Sequence, residues 1–443
     1  MEAEDESRFV VVGGGLGGAL MACHLGQAGY PVEVYEMRDD PRERGLARGR
    51  SINLALSHRG IEALRAVGLA EEVLRTAVPM RGRMIHSPAG QCAFQPYGKD
   101  PNHAIHSVSR NGLNELLLRA ADGYPNVRLS FNQKCQDVDV ETAAVHLVHT
   151  RTNEQTIVSK GVVVSADGAF SVVRRAMQRL DRFDYSQQYL RHGYKELTIP
   201  AGPDGAFQLE KNALHIWPRR AFMMIALPND DGSYTCTLFW PLEGPNSFDA
   251  IRTRDDLLRL FDQQFPDAAG LMPDLADEYF GHSTGSLVTI RCSPWYWRDR
   301  IVLLGDACHA VVPFYGQGAN AAFEDVLVLN ECLARHRPRR RLAFEEYFAL
   351  RKKSVDTLAD LAVSNFVEMR DHTGRSLFLL KKKTEKWLSL LFPKAYVPLY
   401  TMATFTRMPY DEAVRRAKRQ NRRALFAGVV LLVLVVLAVV LLV

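Results

Sequence analysis

Val10-Val11-Val12-Gly13-Gly14-Gly15-Leu16-Gly17-Gly18 is answered, after an apolar helical pattern, by Val32-Glu33-Val34-Tyr35-Glu36. A β-branched run leads directly into Gly13, Gly15 and Gly18 at G-x-G-x-x-G spacing. The first glycine suits a tight turn, the second lets the backbone approach a pyrophosphate, and the third lets the helix pack closely on the strand. The helix behind such a turn aims unpaired N–H groups and a positive dipole end at the phosphates. Glu36 ends the second strand, where a carboxylate accepts hydrogen bonds from ribose hydroxyls. Strand, turn, helix and acid together predict a Rossmann-like βαβ unit of the α/β class that binds a dinucleotide.

Outward from this unit, 443 residues exceed one ordinary core and predict two or three structural units. The formal charge of +5 is localised. Arg415, Arg416, Lys418, Arg419, Arg422 and Arg423 fall in nine positions, and without these six the chain holds 49 basic against 50 acidic residues. A near-neutral body argues against a nucleic-acid surface. Seven cysteines lie scattered without a C-x-x-C, which fits a reducing compartment and small buried side chains. Leu425 to Val443 has no charge over nineteen residues. As a helix it would span roughly 28 Å, near the hydrocarbon thickness of a bilayer, with the basic run held on the cytosolic side. The expectation is a transmembrane tail helix anchoring the chain in a lipid bilayer, the body of the chain facing the cytosol.

Between these ends the pattern predicts a discontinuous nucleotide domain. Its parts are 1–75, 107–182 and 291–340, interrupted by 76–106 and by a mostly antiparallel β-sheet domain at 183–290. Helices follow over 341–423, then the tail at 425–443. Arg38 to Arg50 reads as a polar loop, and Val145–Thr150 with Thr156–Val164 as a hairpin. The strand over Met80 to His86 puts Arg81 and Arg83 on one face. Trp295-Tyr296-Trp297 reads as a packed edge. His103-x-x-His106 and His146-x-x-His149 lack partners at ligand spacing, so no metal site is expected. Lys381-Lys382-Lys383, Lys386 and Trp387 suit either a helix on a membrane surface or one packed on the body.

Three separated motifs, Gly13-x-Gly15-x-x-Gly18, Ala166-Asp167-Gly168 and Leu304-Gly305-Asp306-Ala307, occur in an order that resembles the FAD-dependent aromatic hydroxylases of the p-hydroxybenzoate hydroxylase fold. Longer stretches narrow the likeness to members acting on an amino acid with an aniline ring. They are Arg50-Ser51-Ile52-Asn53-Leu54-Ala55-Leu56-Ser57-His58-Arg59, Pro313-Phe314-Tyr315-Gly316-Gln317-Gly318-Ala319-Asn320 and Pro398-Leu399-Tyr400-Thr401-Met402-Ala403-Thr404-Phe405. No second G-x-G-x-x-G is present, which fits a family that binds NADPH only transiently.

The resemblance implies tightly bound FAD, transient NADPH, O₂ as co-substrate and a small aromatic amino acid as substrate. It implies cofactor contacts at Gly13, Gly15, Leu16, Gly18, Glu36, Ala55, Arg110, Asp167, Asp306, Gly316, Gln317, Gly318, Ala319 and Asn320. It places the substrate at Arg83, Tyr97, Asn365 and Tyr400, with Pro313, Phe314 and Gln317 lining the pocket. No catalytic side chain is implied, since the chemistry is the flavin's. Alone, Arg83 reads as a surface ion pair, and only its place in Met80-Arg81-Gly82-Arg83-Met84, shared with the family, reverses that; Asn365 reads as a satisfied residue at a helix interface, and Tyr400 equally as a membrane-interface aromatic. The resemblance also places the anchor in the mitochondrial outer membrane of a eukaryote or the inner membrane of a bacterium. Two other readings stay open: a membrane-bound FAD monooxygenase with an apolar substrate, and a non-enzymatic FAD-bearing membrane protein.

Overall fold

A computed structural model describes residues 8–43, 53–98, 100, 103–368, 387–388, 391–392 and 395–442, apart from the side chains at 431, 432, 435, 436 and 442. Val10-Val11-Val12 lies in the Phe9–Val12 strand, buried throughout, with Val32–Tyr35 on one side and Val162–Ser165 on the other, both parallel to it. A strand covered on both faces favours an unbroken β-branched run over alternation. The sheet has six strands in the order Tyr296–Trp297, Ile301–Leu303, Val162–Ser165, Phe9–Val12, Val32–Tyr35 and Val127–Ser130. Its edge pair, Tyr296–Trp297 with Ile301–Leu303, is antiparallel. Strands from three separated stretches thus build one sheet. Leu20 and Met21, Leu117, and Phe323 and Val326 from the surrounding helices pack in its core.

The second sheet has seven strands in the order Gly285–Ser293, Asp184–Ile199, Tyr234–Pro241, Phe222–Pro228, Ala213–Arg219, Gly82–His86 and Cys92–Pro96. Its period-2 side-chain alternation feeds two cores. Met224, Leu238 and Trp240 pack with Phe261 and Phe265 on one face, while Met223 and Phe239 pack with Phe314, Phe366 and Tyr410 on the other. This second face meets the flavin domain and the C-terminal helices, so a site between them is walled by all three.

Several expectations need correction. The hairpin pairs Ala144–His149 with Gln155–Val158 and with Gln133–Asp139, whereas Val162–Ser165 belongs to the parallel sheet. The break falls at Lys160, whose φ of 60° turns the chain. Of residues 76–106, Gly82–His86 and Cys92–Pro96 join the large sheet, but Val78–Met80 and Ile105–Ser109 form a small sheet with Asn53–Leu56. The 183–290 region also contains helices. The first, Arg254–Gln264, opens with a Thr253–Asp256 capping box.

Tyr410–Leu442 is one helix, with Tyr410 and Ala413 buried on the body and Leu425, Phe426, Val429, Val433 and Leu437 exposed. Among the described residues no helix is long and apolar enough to cross a membrane, so the expected transmembrane tail is not supported as a feature of the fold. The lysines at 381–386 and most of the arginine-rich stretch, 44–50, lie outside the described residues.

Candidate active site

Gly13 and Gly18 show the tight turn and the close packing their spacing predicts. Gly13 has a φ of +102°, and a Cβ there would sit 2.5 Å from the Ala166 carbonyl oxygen. Gly13 is therefore also where the first and second motifs touch. A Cβ on Gly18 would lie 1.9 Å from the Gly13 carbonyl oxygen, a contact only glycine permits. Glu36 is buried against this turn. Its Oε2 accepts from the Gly14 N–H at 2.7 Å, and its Oε1 from Arg38 N and Nε at 3.0 and 2.7 Å. Burial pushes its pKa up, but Arg38 and the Gly14 N–H outweigh this and hold the carboxyl below the usual range. Gly15 is the N-cap of the Leu16–Gln27 helix, whose first turn contains no acid to compete with an anion.

The third motif starts another helix. Asp306 opens the Asp306–His309 turn with its side chain reachable from solvent, although it lies deep in the protein. That depth raises its pKa, opposed by nearby His309 and Arg110. Such a carboxylate suits the hydroxyls of a polyol. Asn320 binds two segments together: its Nδ2 donates to the Ala55 and Gly316 carbonyls at 2.8 and 2.9 Å, and its Oδ1 accepts from Ser57 N at 2.8 Å. Ala55, Gly316 and the start of the Gly318–His336 helix are thereby brought together. The bare N–H groups of Gly318 and Ala319 sit at that helix's positive end. Asp167 is already engaged. It accepts from Ser165 Oγ at 2.5 Å and from Val172 N at 2.7 Å, so it shapes the turn behind Gly13.

Arg83 lies on the Gly82–His86 strand, paired with Gln95 and Leu214. Its guanidinium carbon is 4.7 Å from the Tyr400 ring centre and 5.8 Å from that of Tyr97, and the two rings stack 5.4 Å apart. Arg83 Nε and the Tyr97 hydroxyl are shut off from solvent without a hydrogen-bond partner. Burial opposes the guanidinium charge, but the Tyr400 and Tyr97 hydroxyls outweigh it and hold its pKa above the ordinary range. A permanently charged fork without a carboxylate partner among the described residues is a receptor for one. Asn365 supports the turn beside this cage. Its Nδ2 donates to the Phe314 carbonyl at 2.6 Å, fixing the Pro313–Tyr315 turn. Phe314 stacks on Phe366 at 4.2 Å, and Tyr315 lies 5.8 Å from Tyr400, so the turn joins the cage to the helix start.

Residues 6–360 match the family model described as an FAD binding domain. The chain is 47% identical to kynurenine 3-monooxygenase of Dictyostelium discoideum, covering 91% of this chain and 89% of that protein. It is 48% identical to the enzyme of the same name from Salinispora tropica, over 97% and 95%. The enzyme of that name from Sus scrofa is 42% identical, over 95% and 89%. The chain belongs to the kynurenine 3-monooxygenase family. Solved structures show the same fold at lower identity. For 2-methyl-3-hydroxypyridine-5-carboxylic acid oxygenase the TM-score is 0.66 at 20% identity, covering 84% of this chain and 95% of that one. For p-nitrophenol 4-monooxygenase from Pseudomonas putida it is 0.66 at 19%, over 86% and 93%.

In this member of the kynurenine 3-monooxygenase family, one functional layer escaped the sequence. Arg59, Glu324, Arg351, Asp325 and His309 form a buried ionic chain beneath the helix start. Tyr410 stacks on Arg59 at 4.1 Å and donates to Gln317 Oε1 at 3.1 Å, and Ser57 reaches the same oxygen at 3.3 Å. Gln317 is thus held by the N-cap of the His58–Arg65 helix and by the last helix. Its side-chain oxygen is engaged there. The available signal was a pair of acids, Glu324 and Asp325, within an otherwise apolar helical run.

Proposed function

We propose that this chain hydroxylates L-kynurenine to 3-hydroxy-L-kynurenine, consuming NADPH, a proton and O₂ and releasing NADP⁺ and water. The observation that carries this reading is Arg83: a half-buried cation with its Nε shut off from solvent, caged by Tyr97 and Tyr400, lacks a carboxylate among the described residues. Kynurenine is an amino acid with an aniline ring, and its carboxylate completes that cage. An apolar substrate would leave the guanidinium uncompensated at a cost of several kcal/mol, which disfavours the rival with a lipid-like substrate.

FAD fits the residues present: the glycine turn leaves room for a pyrophosphate, Glu36 faces the turn, Asp306 is open to a polyol, and the 318 helix start offers bare N–H groups. Held by these residues, FAD would supply the redox chemistry, taking up a hydride from NADPH and activating O₂. The protein's own contribution is positional. Arg83 and Tyr97 clamp the carboxylate, and the fork geometry fixes the direction in which the aromatic ring projects. Phe314, Phe366 and Phe239 form an apolar wall that excludes water from the reacting edge. The Gly318 and Ala319 N–H groups favour negative charge developing on the adjacent ring system. Donation from the substrate's amine enriches the ortho carbon, so no acid–base triad is needed for attack on an electrophilic oxygen.

The test is turnover by the FAD-loaded protein. L-kynurenine accelerates NADPH consumption and 3-hydroxykynurenine accumulates in step; consumption without hydroxylated product overturns the assignment. We also propose that the exposed apolar end of the last helix, led by its arginine-rich segment, holds the chain on a lipid bilayer with the body in the cytosol. That membrane is the mitochondrial outer membrane in a eukaryote or the inner membrane in a bacterium. Full-length protein sediments with membranes, and a version ending at Arg423 does not; equal partition of the two refutes the anchor.

A further inference from the structure

At its other end, the hairpin that carries Arg83 holds a cluster the reaction does not use. His86 closes the Gly82–His86 strand, Cys92 opens the Cys92–Pro96 strand, and Asp267 lies on the Pro266–Ala269 helical turn. The hydrogen positions there follow from the acceptors. His215 Nε2 lies 2.9 Å from the Glu210 carbonyl, which can only accept, so that nitrogen bears the hydrogen. With that hydrogen on Nε2, a neutral His215 ring presents its Nδ1 as a bare acceptor. That atom faces His86 Nε2 at 2.8 Å, which must therefore donate. A neutral His86 is then left with a lone pair on Nδ1 pointing at Asp267 Oδ2, only 2.5 Å away. Two acceptors at that separation are held together by a positive charge between them, either a proton or a metal ion. Cys92 Sγ is 3.4 Å from the same Nδ1, and the three donor atoms all fall within 4.8 Å of one another.

We propose that His86 Nδ1, Cys92 Sγ and Asp267 Oδ2 bind one divalent ion of the zinc type, with a fourth position open to water. The donor set of nitrogen, sulfur and oxygen is zinc's. Zinc–ligand lengths of about 2.0–2.3 Å at tetrahedral angles place sulfur and nitrogen ~3.5 Å apart, close to the separation found. The nitrogen–oxygen gap must widen by about 1 Å, and Asp267, with its side chain 20% exposed, can swing outward while staying near the Trp217 Nε1–H that it accepts at 3.0 Å. The relay through His215 to the Glu210 carbonyl is the outer support that fixes a ligating histidine's tautomer. On binding, the Cys92 S–H bond breaks, the sulfur–metal bond forms, and the proton passes to solvent. Thiolate and carboxylate then balance a doubly charged ion. The neighbouring cation, Arg219, opposes the bound charge, but its Nη1 and Nη2 are turned to the carbonyls of His86 and Ser87. Cys92 is exposed and the other six cysteines are buried, so an ion has a route in. The ion would staple the Arg83 hairpin to the helices beside it.

The test uses chelator-treated, FAD-loaded full-length protein titrated with Co²⁺, followed by its ligand-field bands to the red of flavin absorption. One equivalent gives intense tetrahedral-type bands that Zn²⁺ abolishes, and Zn²⁺ raises the unfolding temperature. Cys92→Ser, a change at an exposed position, folds and retains flavin but loses both the bands and the thermal shift. Bands missing from the wild type, or equally strong in Cys92→Ser, overturn the site. Neither outcome depends on whether kynurenine is the substrate.

Discussion

Two arginine sites, one buried and one half-buried, show opposite uses of the same side chain. Arg59 is fully buried and saturated: Nη1 reaches both Glu324 oxygens at 2.6 and 2.8 Å, Nε donates to the Ala403 carbonyl at 3.1 Å, and Nη2 donates to the Met408 carbonyl. Arg351 shares Glu324 and adds Asp325 at 2.7 Å. Arg83 has aromatic walls and hydroxyls for company, and an Nε that bonds to nothing. Desolvating a guanidinium is costly, and Glu324 and Asp325 offset that cost within the fold. At Arg83 it is left for a ligand to offset. A compensated cation braces the structure; an uncompensated one binds.

The largest expected effect tests the uncompensated side. Arg83→Ala lowers kcat/KM for L-kynurenine by about 100- to 1000-fold, mainly through KM, because a charge-assisted fork is lost. Flavin absorbance and the unfolding midpoint hold. A loss of flavin instead would merge the two sites. Glu324→Ala probes the compensated side and has the reverse signature. It strands Arg59 and Arg351, lowering stability by about 3–5 kcal/mol in denaturant titration, while KM of the folded fraction changes little. An unchanged midpoint would deny the bracing role.

Acid separates the sites further. Burial raises the Asp325 pKa, but His309 and Arg351 hold it below the ordinary 3.8. A depressed carboxyl stabilises the fold above its unfolded pKa, and that contribution is lost as pH falls through the folded value. Before that, His24 and His215, each pushed by burial from 6.5 down to about 4, bind protons more readily in the unfolded chain. Stability therefore declines as pH falls from 6.5 to 4 and is level just above it. KM at Arg83 does not follow this decline, since its charge is constant. Denaturant midpoints and KM measured over one pH series check both. The smallest effect is at the surface, where Arg254 pairs with Asp277 with both side chains more than 60% exposed. Arg254→Ala shifts stability by less than about 0.5 kcal/mol; a larger change would mean that exposure does not divide these sites.

What the sequence disclosed follows chain distance. The glycine turn and Glu36 are local, and their spacing alone announced a nucleotide fold. The central strands were legible because burial on both faces leaves a run of valines. The 155–165 stretch misled, since one apolar run serves two sheets and only the backbone at Lys160 marks the switch. Arg83 was legible through resemblance alone, as nothing in Met80-Arg81-Gly82-Arg83-Met84 says which arginine turns inward. The Arg59–Glu324 pair spans 265 positions. His86 and Cys92 are six positions apart, but Asp267 is 181 from His86. Only folding brings these groups together.

The Arg59 clasp on the Ala403 and Met408 carbonyls bears on where the polypeptide can be cut. The flavin-domain match stops at 360, yet Tyr400 closes the cage from a helix held by that clasp. The segment before it is latched in turn by Tyr396 Oη donating to Asn421 and by Gln420 receiving the Val397 N–H. A minimal catalytic fragment has to keep its residues through Asn421, even though every recognisable flavin motif ends a hundred residues sooner.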